Sequence, residues 1–492
     1  MSGAFFSDEA IYTYAGFAIS KGVTPYSGIT LPQPPLGYLL LAAEAALTHS
    51  SLQAIRTLNF AVYLIGLIFV FRVLAKVSSS SFTAFLGSLV YTLYPAVLQY
   101  SFSVTLEFAY FVALVFAGLD LTFSKASLSP LVGGNLLGLA TVTWYPGFLV
   151  FLAVVVFAMA RNFMENGPWR DSLKIATKLV TGFSAVIIMT LAVIVLFWRA
   201  YPQFVIQSLK LQTGLRAGFS PVEKLSVLIS YWNSFSLVIV LGIVGIAIVI
   251  LKSRGRGRTS ELLLSSLFAV IFLALVIIPK VLFPHYFWFL TPILCYFTVL
   301  AILELKSVFR SGPNYLRMMI LISLIFTAFL FADATRNSYL TKPFTNNVYT
   351  ASAEYVGSYV ANITSPGQLI WTSEAAIAFY ADRLIVPPNS SVWKVQGFFD
   401  DVFNTTFTDT ARFEHGGLGL VSPVQFEQSW GPSVKVLVFI RGNGPVPYPD
   451  TLLWQGWPGT PGVSAWVSSH YSRVSLLSFL GDSYLYEVWT RN

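Results

Sequence analysis

Residues 126–160, ASLSPLVGGNLLGLATVTWYPGFLVFLAVVVFAMA, run for 35 positions without a charged side chain. As one helix, at 1.5 Å per residue, the stretch would be about 50 Å long, well beyond the roughly 30 Å hydrocarbon core of a bilayer. As two helices it turns at Trp144-Tyr145-Pro146-Gly147, where Pro-Gly suits a reversal and aromatic rings suit a membrane interface. The choice sets the orientation of everything around it. With two crossings, the loops on one side collect fourteen bases, in clusters such as Arg72/Lys76, Arg161–Lys178, Lys252–Arg258 and Lys306–Arg317, against seven on the other. One crossing would scatter these clusters over both faces. The positive-inside rule then places the clusters in the cytoplasm and the opening loop outside.

Composition agrees. The chain is 55% hydrophobic and only 11% charged, with a mean hydropathy of +0.69, whereas a soluble domain carries about 25% charged residues. The net charge of +8 lies in short loops between apolar runs, which fits a bilayer surface and excludes a nucleic-acid groove. Apolar runs predict ten spans, near 55–75, 82–98, 102–122, 131–143, 147–160, 178–198, 232–251, 261–278, 286–303 and 316–332. The expected fold is therefore a polytopic α-helical membrane protein with interfacial helices and a C-terminal extracytoplasmic α/β domain. Its division is 1–333, with 1–50 as an external loop, and 334–492. The tail is rich in Gly, Pro, Ser and Thr, has strand-like runs at 434–440 and 484–490, and holds all three N-x-S/T sequons, at Asn362, Asn389 and Asn404. The single cysteine, Cys295, permits no intrachain disulfide, and the four histidines show no metal-ligand spacing.

The opening loop carries an acidic pair, Asp8-Glu9, ahead of the apolar helix AIYTYAGFAIS. Asp8 could cap that helix, both acids lying at its positive end. A carboxylate pair at the lip of a membrane protein is equally placed to act on a lipid headgroup. The helix is apolar on most of its surface and is expected to lie in the interface. The apolar part of LPQPPLGYLLLAAEAAL is too short to cross and should dip in or pack on the bundle.

Asp8-Glu9, Tyr12, Gly22, Pro25-Tyr26 and Pro34-Pro35-Leu36 together resemble the first external loop of the GT-C membrane glycosyltransferases, of the protein O-mannosyltransferase and aminoarabinose-transferase type. Ala54-Ile55-Arg56, GNLLGLATVTWYPG, HYFWFLTP and the tail's TSEAAIAFYADRLIVPP match more loosely. The resemblance implies a hexosyl- or pentosyltransferase, with mannose as one sugar of that type. The donor it implies is a polyprenyl- or dolichyl-phosphate sugar, used on the outer face of the cell membrane with inversion. The acceptor stays open between protein, lipid and glycan. By position Asp8 is the base that takes the proton of the attacking hydroxyl, and Glu9 is its neighbour. A divalent metal at Asp8/Glu9 stays open as well.

The leaving group is a lipid phosphate, so cations or hydrogen-bond donors are needed where negative charge develops. Relatives often carry Lys or His where this chain has Gln33, and Lys or Arg where it has Trp144. Arg56, Arg216, Lys280 and His285 are the replacement candidates beside Gln33, with ordinary snorkelling as the alternative for Arg56 and Lys280. Glu107, an acid inside a predicted span, is a candidate for orienting substrate. Tyr12, Tyr26, Trp144, Tyr145 and Tyr286 are the substrate-binding candidates. A transporter or flippase, and a non-catalytic membrane scaffold, are the competing functions. MSGAFF resembles the end of a preceding transmembrane helix, and the resemblance implies some 20–30 residues upstream of Met1 and eleven spans.

Overall fold

The computed structural model describes residues 7–29, 31–78, 80–94, 97, 100–101, 103–106, 108–124, 126–164, 167–209, 220–252, 259–279, 284–311, 347–372, 375–385, 433–441, 463–479 and 484–492. The decisive stretch is two helices. Ser129–Thr143 ends where Trp144 turns extended (φ −155°, ψ 131°), and Pro146–Met164 begins two residues on and packs back against it. A side chain at Gly147 would meet the backbone nitrogen of Thr141 at 2.6 Å, so the reversal is closed tightly on itself.

In chain order the helices are α1 (Ser7–Ser20), α2 (Pro35–Leu47), α3 (Leu52–Val77), α4 (Ser81–Leu93), α5 (Ala109–Thr122), α6 (Ser129–Thr143), α7 (Pro146–Met164) and α8 (Trp169–Ala192). After them come α9 (Pro221–Lys252), α10 (Thr259–Ile277) and α11 (Thr291–Ser311). α8 runs on through a π-helical turn, Val193–Phe197, and α9 is broken at Phe235, its two arms bent by 91°. Among the described residues, five helices are long and apolar enough to cross a membrane: Leu52–Val77, Pro146–Met164, Trp169–Phe197, Ser260–Ile277 and His285–Leu305. The bent pair Pro221–Trp232 and Leu237–Leu251 makes a sixth if it is one span. The spans expected at 82–98 and 102–122 are the shorter apolar helices α4 and α5, and the one expected at 131–143 is α6, 15 residues long and not among the candidate spans. The span expected at 316–332 lies outside the described residues. Large apolar side chains such as Phe82, Val156, Ile188 and Leu251 stay exposed on these helices. They form the surface that lipid, not water, would cover, which supports an integral membrane protein.

Small residues let the helices close up. A Cβ on Gly134 of α6 would lie 2.1 Å from the Leu179 carbonyl of α8, and one on Gly182 of α8 would lie 2.1 Å from the Leu131 carbonyl of α6. This reciprocal approach is the close packing that small residues permit in membranes.

α1 is buried from Glu9 to Ala18, wrapped by α2 on one side and by the tail on another. Its all-round apolarity thus answers to protein on several sides, as expected for a helix without a polar face. α2, too short to cross, packs on α1 and α6. In the tail, α12 (Asn347–Ile363), α13 (Ala375–Tyr380) and α14 (Val463–His470) accompany a four-stranded sheet. Its strands β1 (Leu369–Thr372), β2 (Val434–Arg441), β3 (Tyr471–Phe479) and β4 (Tyr484–Arg491) lie in the order β1-β2-β4-β3, with β1 parallel to β2 and the other pairs antiparallel. Tyr14, Phe17 and Leu41 of the opening helices share one apolar core with Phe379, Val436 and Val488 of the tail.

Candidate functional site

Glu9, in the first turns of α1, is fully buried. Arg56, near the start of α3, donates to it through two nitrogens, Nε to Oε1 at 2.8 Å and Nη2 to Oε2 at 2.7 Å. The backbone N–H of Val104 donates to the same Oε1 at 2.9 Å. A forked arginine on a carboxylate fixes direction as well as distance. The first turn of α1 is therefore pinned to α3 and to the 103–106 segment. Asp8 belongs to that turn by its backbone, and its side chain lies outside the described residues. Glu107, Arg216 and Lys280 also lie outside them.

The loop 21–34 is held by side chains from far along the chain. Tyr26 takes a left-handed conformation (φ +64°), and its hydroxyl donates to the Gln33 carbonyl at 3.0 Å. Gln207 reads the loop twice: Nε2 donates to the Tyr26 carbonyl at 2.8 Å, and Oε1 accepts from Leu31 N at 3.1 Å. The Tyr26 ring sits between Phe204 and Trp198, and burial, with like-charge effects from Tyr145 and Tyr38, pushes its hydroxyl pKa upward. Tyr145, in the 144–147 reversal, hydrogen-bonds Ser208, so that reversal and the 205–209 turn meet beside the loop. Tyr12 packs edge-on to Tyr38 of α2.

The predicted residues thus divide. Glu9 and Arg56 are brought together as a pair, and Tyr12, Tyr26, Gln33 and Tyr145 surround the opening loop. Trp144 and Tyr286 pack on each other, with Trp144 also against Phe111 and Phe289, and both rings are buried. His285 is half-buried, beside Tyr286 and Trp288. Buried polar atoms without a hydrogen-bond partner among the described residues include Gln33 Oε1, Thr13 Oγ1 one turn after Glu9, and Thr105 Oγ1 next to Val104. Buried polar groups are nearly always partnered, so such orphans mark places where water or a polar ligand enters. Of the pair considered for a divalent metal, Asp8 has its side chain outside the described residues and Glu9 is already engaged. Both oxygens of Glu9 are engaged by Arg56, and among the described residues no three His, Cys, Asp or Glu side chains gather as a metal cluster.

Sequence reasoning passed over Gln207, Ser208 and Glu44. Glu44 of α2 is buried and accepts from Asn59 Nδ2 at 2.6 Å and from the Tyr110 hydroxyl at 2.5 Å. Burial pushes its carboxyl from an ordinary value of 4.5 up to about 7, against the opposing effect of those two hydrogen bonds. The unfolded chain ionises this acid near its ordinary value. Its contribution to stability is therefore full below about pH 4.5 and is lost as pH rises to about 7. At roughly 1.4 kcal/mol per pH unit the loss is at most about 3 kcal/mol. Melting temperatures of wild type and Glu44→Gln, compared between pH 5 and 8, should show the variant flatter and relatively more stable at high pH. Parallel profiles would mean that Glu44 titrates like an exposed acid.

No protein-family model matches the sequence, and no curated protein is similar to it at a significant level. Solved structures are. ArnT from Cupriavidus metallidurans bound to undecaprenyl phosphate aligns over 98% of this chain and 93% of its own, at 14% identity and a TM-score of 0.61. The same protein in the apo state aligns over the same shares at 13% identity and a TM-score of 0.59. An oligosaccharyltransferase from Archaeoglobus fulgidus aligns over 97% of this chain and 68% of its own at 12% identity, but its TM-score of 0.42 is too low to carry an argument. The ArnT alignment runs along nearly the whole of both chains and shows that this protein has the fold of ArnT.

Proposed function

We propose that the protein is a membrane glycosyltransferase that moves a sugar from a polyprenyl-phosphate carrier to an acceptor hydroxyl, at the outer face and with inversion. The observation that carries this is the buried Glu9–Arg56 fork with its Val104 N–H, which pins the turn bearing Asp8. A general base works only when held within a fraction of an ångström to about an ångström of its position, and a short helix alone would not hold it so. The similarity to a structure bound to undecaprenyl phosphate supports a polyprenyl-phosphate donor.

In this proposal Asp8 accepts the proton of the acceptor oxygen as that oxygen attacks the anomeric carbon from the face opposite the phosphate. The carbon–oxygen bond to the phosphate breaks, and the lipid phosphate leaves with the electron pair. Glu9 is a positioning residue, its charge spent on Arg56. Arg56 is committed in turn, so stabilising the phosphate falls to Gln33, His285, Arg216 and Lys280. Gln33 would serve through its Nε2 donors, because its buried and unpartnered Oε1 is an acceptor, suited to water or a hydroxyl and not to phosphate. The direct test is to incubate purified protein with radiolabelled polyprenyl-phosphate sugars and follow sugar release and transfer. Retention of all label on the lipid, with every donor sugar and acceptor class tried, would count against the transferase.

Sidedness is part of the same proposal. In a Cys295→Ala background, cysteines placed at Ser253 and Ser311 should resist an impermeant thiol reagent in intact cells, while one at Ser220 should react. The reverse pattern would place the opening loop in the cytoplasm.

A further inference from the structure

Three helices end at one place. α1 closes with Gly22 at φ +93°, where Gly22 N donates to Ile19 O at 2.9 Å and Val23 N to Ala18 O at 3.1 Å. α2 closes with His49 and Ser50 at φ +49° and +60°, and Ser50 N donates to Ala45 O at 2.8 Å. α13, in the tail, closes with Asp382 at φ +52°, where Asp382 N donates to Phe379 O at 3.1 Å and Arg383 N to Ala378 O at 3.1 Å. These are left-handed helix stops, usually made by glycine, and here two of the three use a side-chain-bearing residue. Of the five non-glycine residues with positive φ among the described residues, His49, Ser50 and Asp382 all line a single cavity of about 480 Å³. Such strain persists where the surroundings enforce it, and it gathers at ligand sites.

The cavity lies between the ends of α1 and α2 and the tail, walled also by Lys21, Phe379 and Tyr380. Its size falls in the range of small-molecule sites, about 300–1,000 Å³. Lys21 Nζ and Asp382 Oδ1 pair at 3.0 Å, both partly exposed.

The electrostatics choose the ligand. The two longer helix ends each present a partial negative charge, and Asp382 adds a full one, so an anion is opposed. Lys21 already supplies the compensating cation, so a cationic ligand meets it head-on. What remains is a neutral molecule rich in hydroxyls. Its O–H groups can donate to Asp382, its oxygens can accept from Lys21, and its apolar face can rest on an aromatic wall.

We propose that this cavity is a recognition subsite for a neutral carbohydrate portion of the acceptor, completed by the tail domain. This rests on the proposed transferase function and extends it. Thirteen residues of helix separate Asp8 from Lys21, about 20 Å at 1.5 Å per residue. The sugar bound here is therefore not the one that reacts. The subsite selects an elongated, glycan-bearing acceptor and uses remote binding energy to orient the distant hydroxyl.

The test is binding, measured without turnover. Full-length protein in nanodiscs is titrated with maltotriose, mannotriose and chitotriose, and separately with glucuronic acid and with glucosamine, by saturation-transfer NMR. At least one neutral trisaccharide should bind. His49→Asn, which tolerates the left-handed backbone, and Lys21→Met/Asp382→Asn, which removes the charged pair, should each weaken it about tenfold or more, the scale of losing a hydrogen bond to a charged group. Tyr380→Phe should weaken it less. Thermal unfolding of each variant, expected near wild type because an exposed ion pair contributes little, separates lost binding from lost fold. Binding of none of the neutral sugars overturns the proposal, as does binding that the variants leave untouched or a preference for the charged probes. Donor turnover by the wild type is measured alongside. If turnover fails while the trisaccharide binds, the transferase function falls and the carbohydrate site stands. If turnover succeeds and no trisaccharide binds, the transferase stands and the carbohydrate site falls.

Discussion

Asp8→Asn is expected to cut transfer from a polyprenyl-phosphate sugar by about 100- to 10,000-fold, the usual cost of losing a general base. The amide matches the carboxylate in size, and Asp8 lies inside the first turn of α1, one residue after its start, so the change isolates the proton-accepting function from packing. The measurement is single-turnover transfer with saturating donor, so that the loss appears in the chemical step. Melting temperature and donor binding should stay close to wild type. Turnover near normal in Asp8→Asn would reduce Asp8 to a residue of the first helical turn and leave the reaction without its base. Because Asp8 stands beside the anchored Glu9, the matching Glu9→Gln substitution gives a contrast. It should loosen the Arg56 contact and lower both stability and turnover, whereas Asp8→Asn lowers turnover alone.

The second large effect is expected at Arg56. Its pairing with Glu9 is almost completely buried, with side-chain exposures of 5% and 0%. Removing one member of a buried pair leaves the other charge uncompensated, at a cost of about 3–5 kcal/mol. Arg56→Met should therefore lower the melting temperature strongly in detergent or nanodiscs. The double change Glu9→Gln/Arg56→Met removes both charges and should recover much of that stability, because no carboxylate is then stranded. It should not recover transfer, since the fork that orients the first turn of α1 is still gone. An Arg56→Met protein that melts like wild type would show that Glu9 finds another partner and that the fork does not hold the turn. Full transfer in the double variant would show that the turn is positioned by packing alone. Arg56→Lys tests geometry against charge: it keeps the cation but loses the planar fork, so stability should fall less than turnover.

The reversal at 144–147 was legible from the chain alone, because a bilayer has a fixed thickness and a 35-residue uncharged run cannot fit across it as one helix. The resemblance carried by Asp8-Glu9, Pro25-Tyr26 and Pro34-Pro35 pointed to the fold that the ArnT alignment shows, and two of the tail's four strands were legible in the runs at 434–440 and 484–490. Glu44 was within reach too, as the only acid in the apolar run from 31 to 50, by the same logic that singled out Glu107. Other features depended on residues distant in sequence meeting in space. Trp144 at a turn is compatible with the membrane interface, and only the rings of Phe111, Tyr286 and Phe289 around it place it in the interior. Arg56 reads as a free cation until Glu9, 47 residues earlier, is found to occupy its fork. Gln207 carries no local signal at all, since its two hydrogen bonds reach a loop more than 170 residues away. The left-handed stops at His49 and Asp382 were hidden for a related reason. Glycine announces such a conformation by its chemistry, but a side-chain-bearing residue adopts it only where surrounding contacts over-determine the backbone. Local pattern reports what each segment needs, apolar cover or a place to turn. Which partner supplies it is decided by packing, through contacts whose free energy is gained only once the whole chain has closed around them.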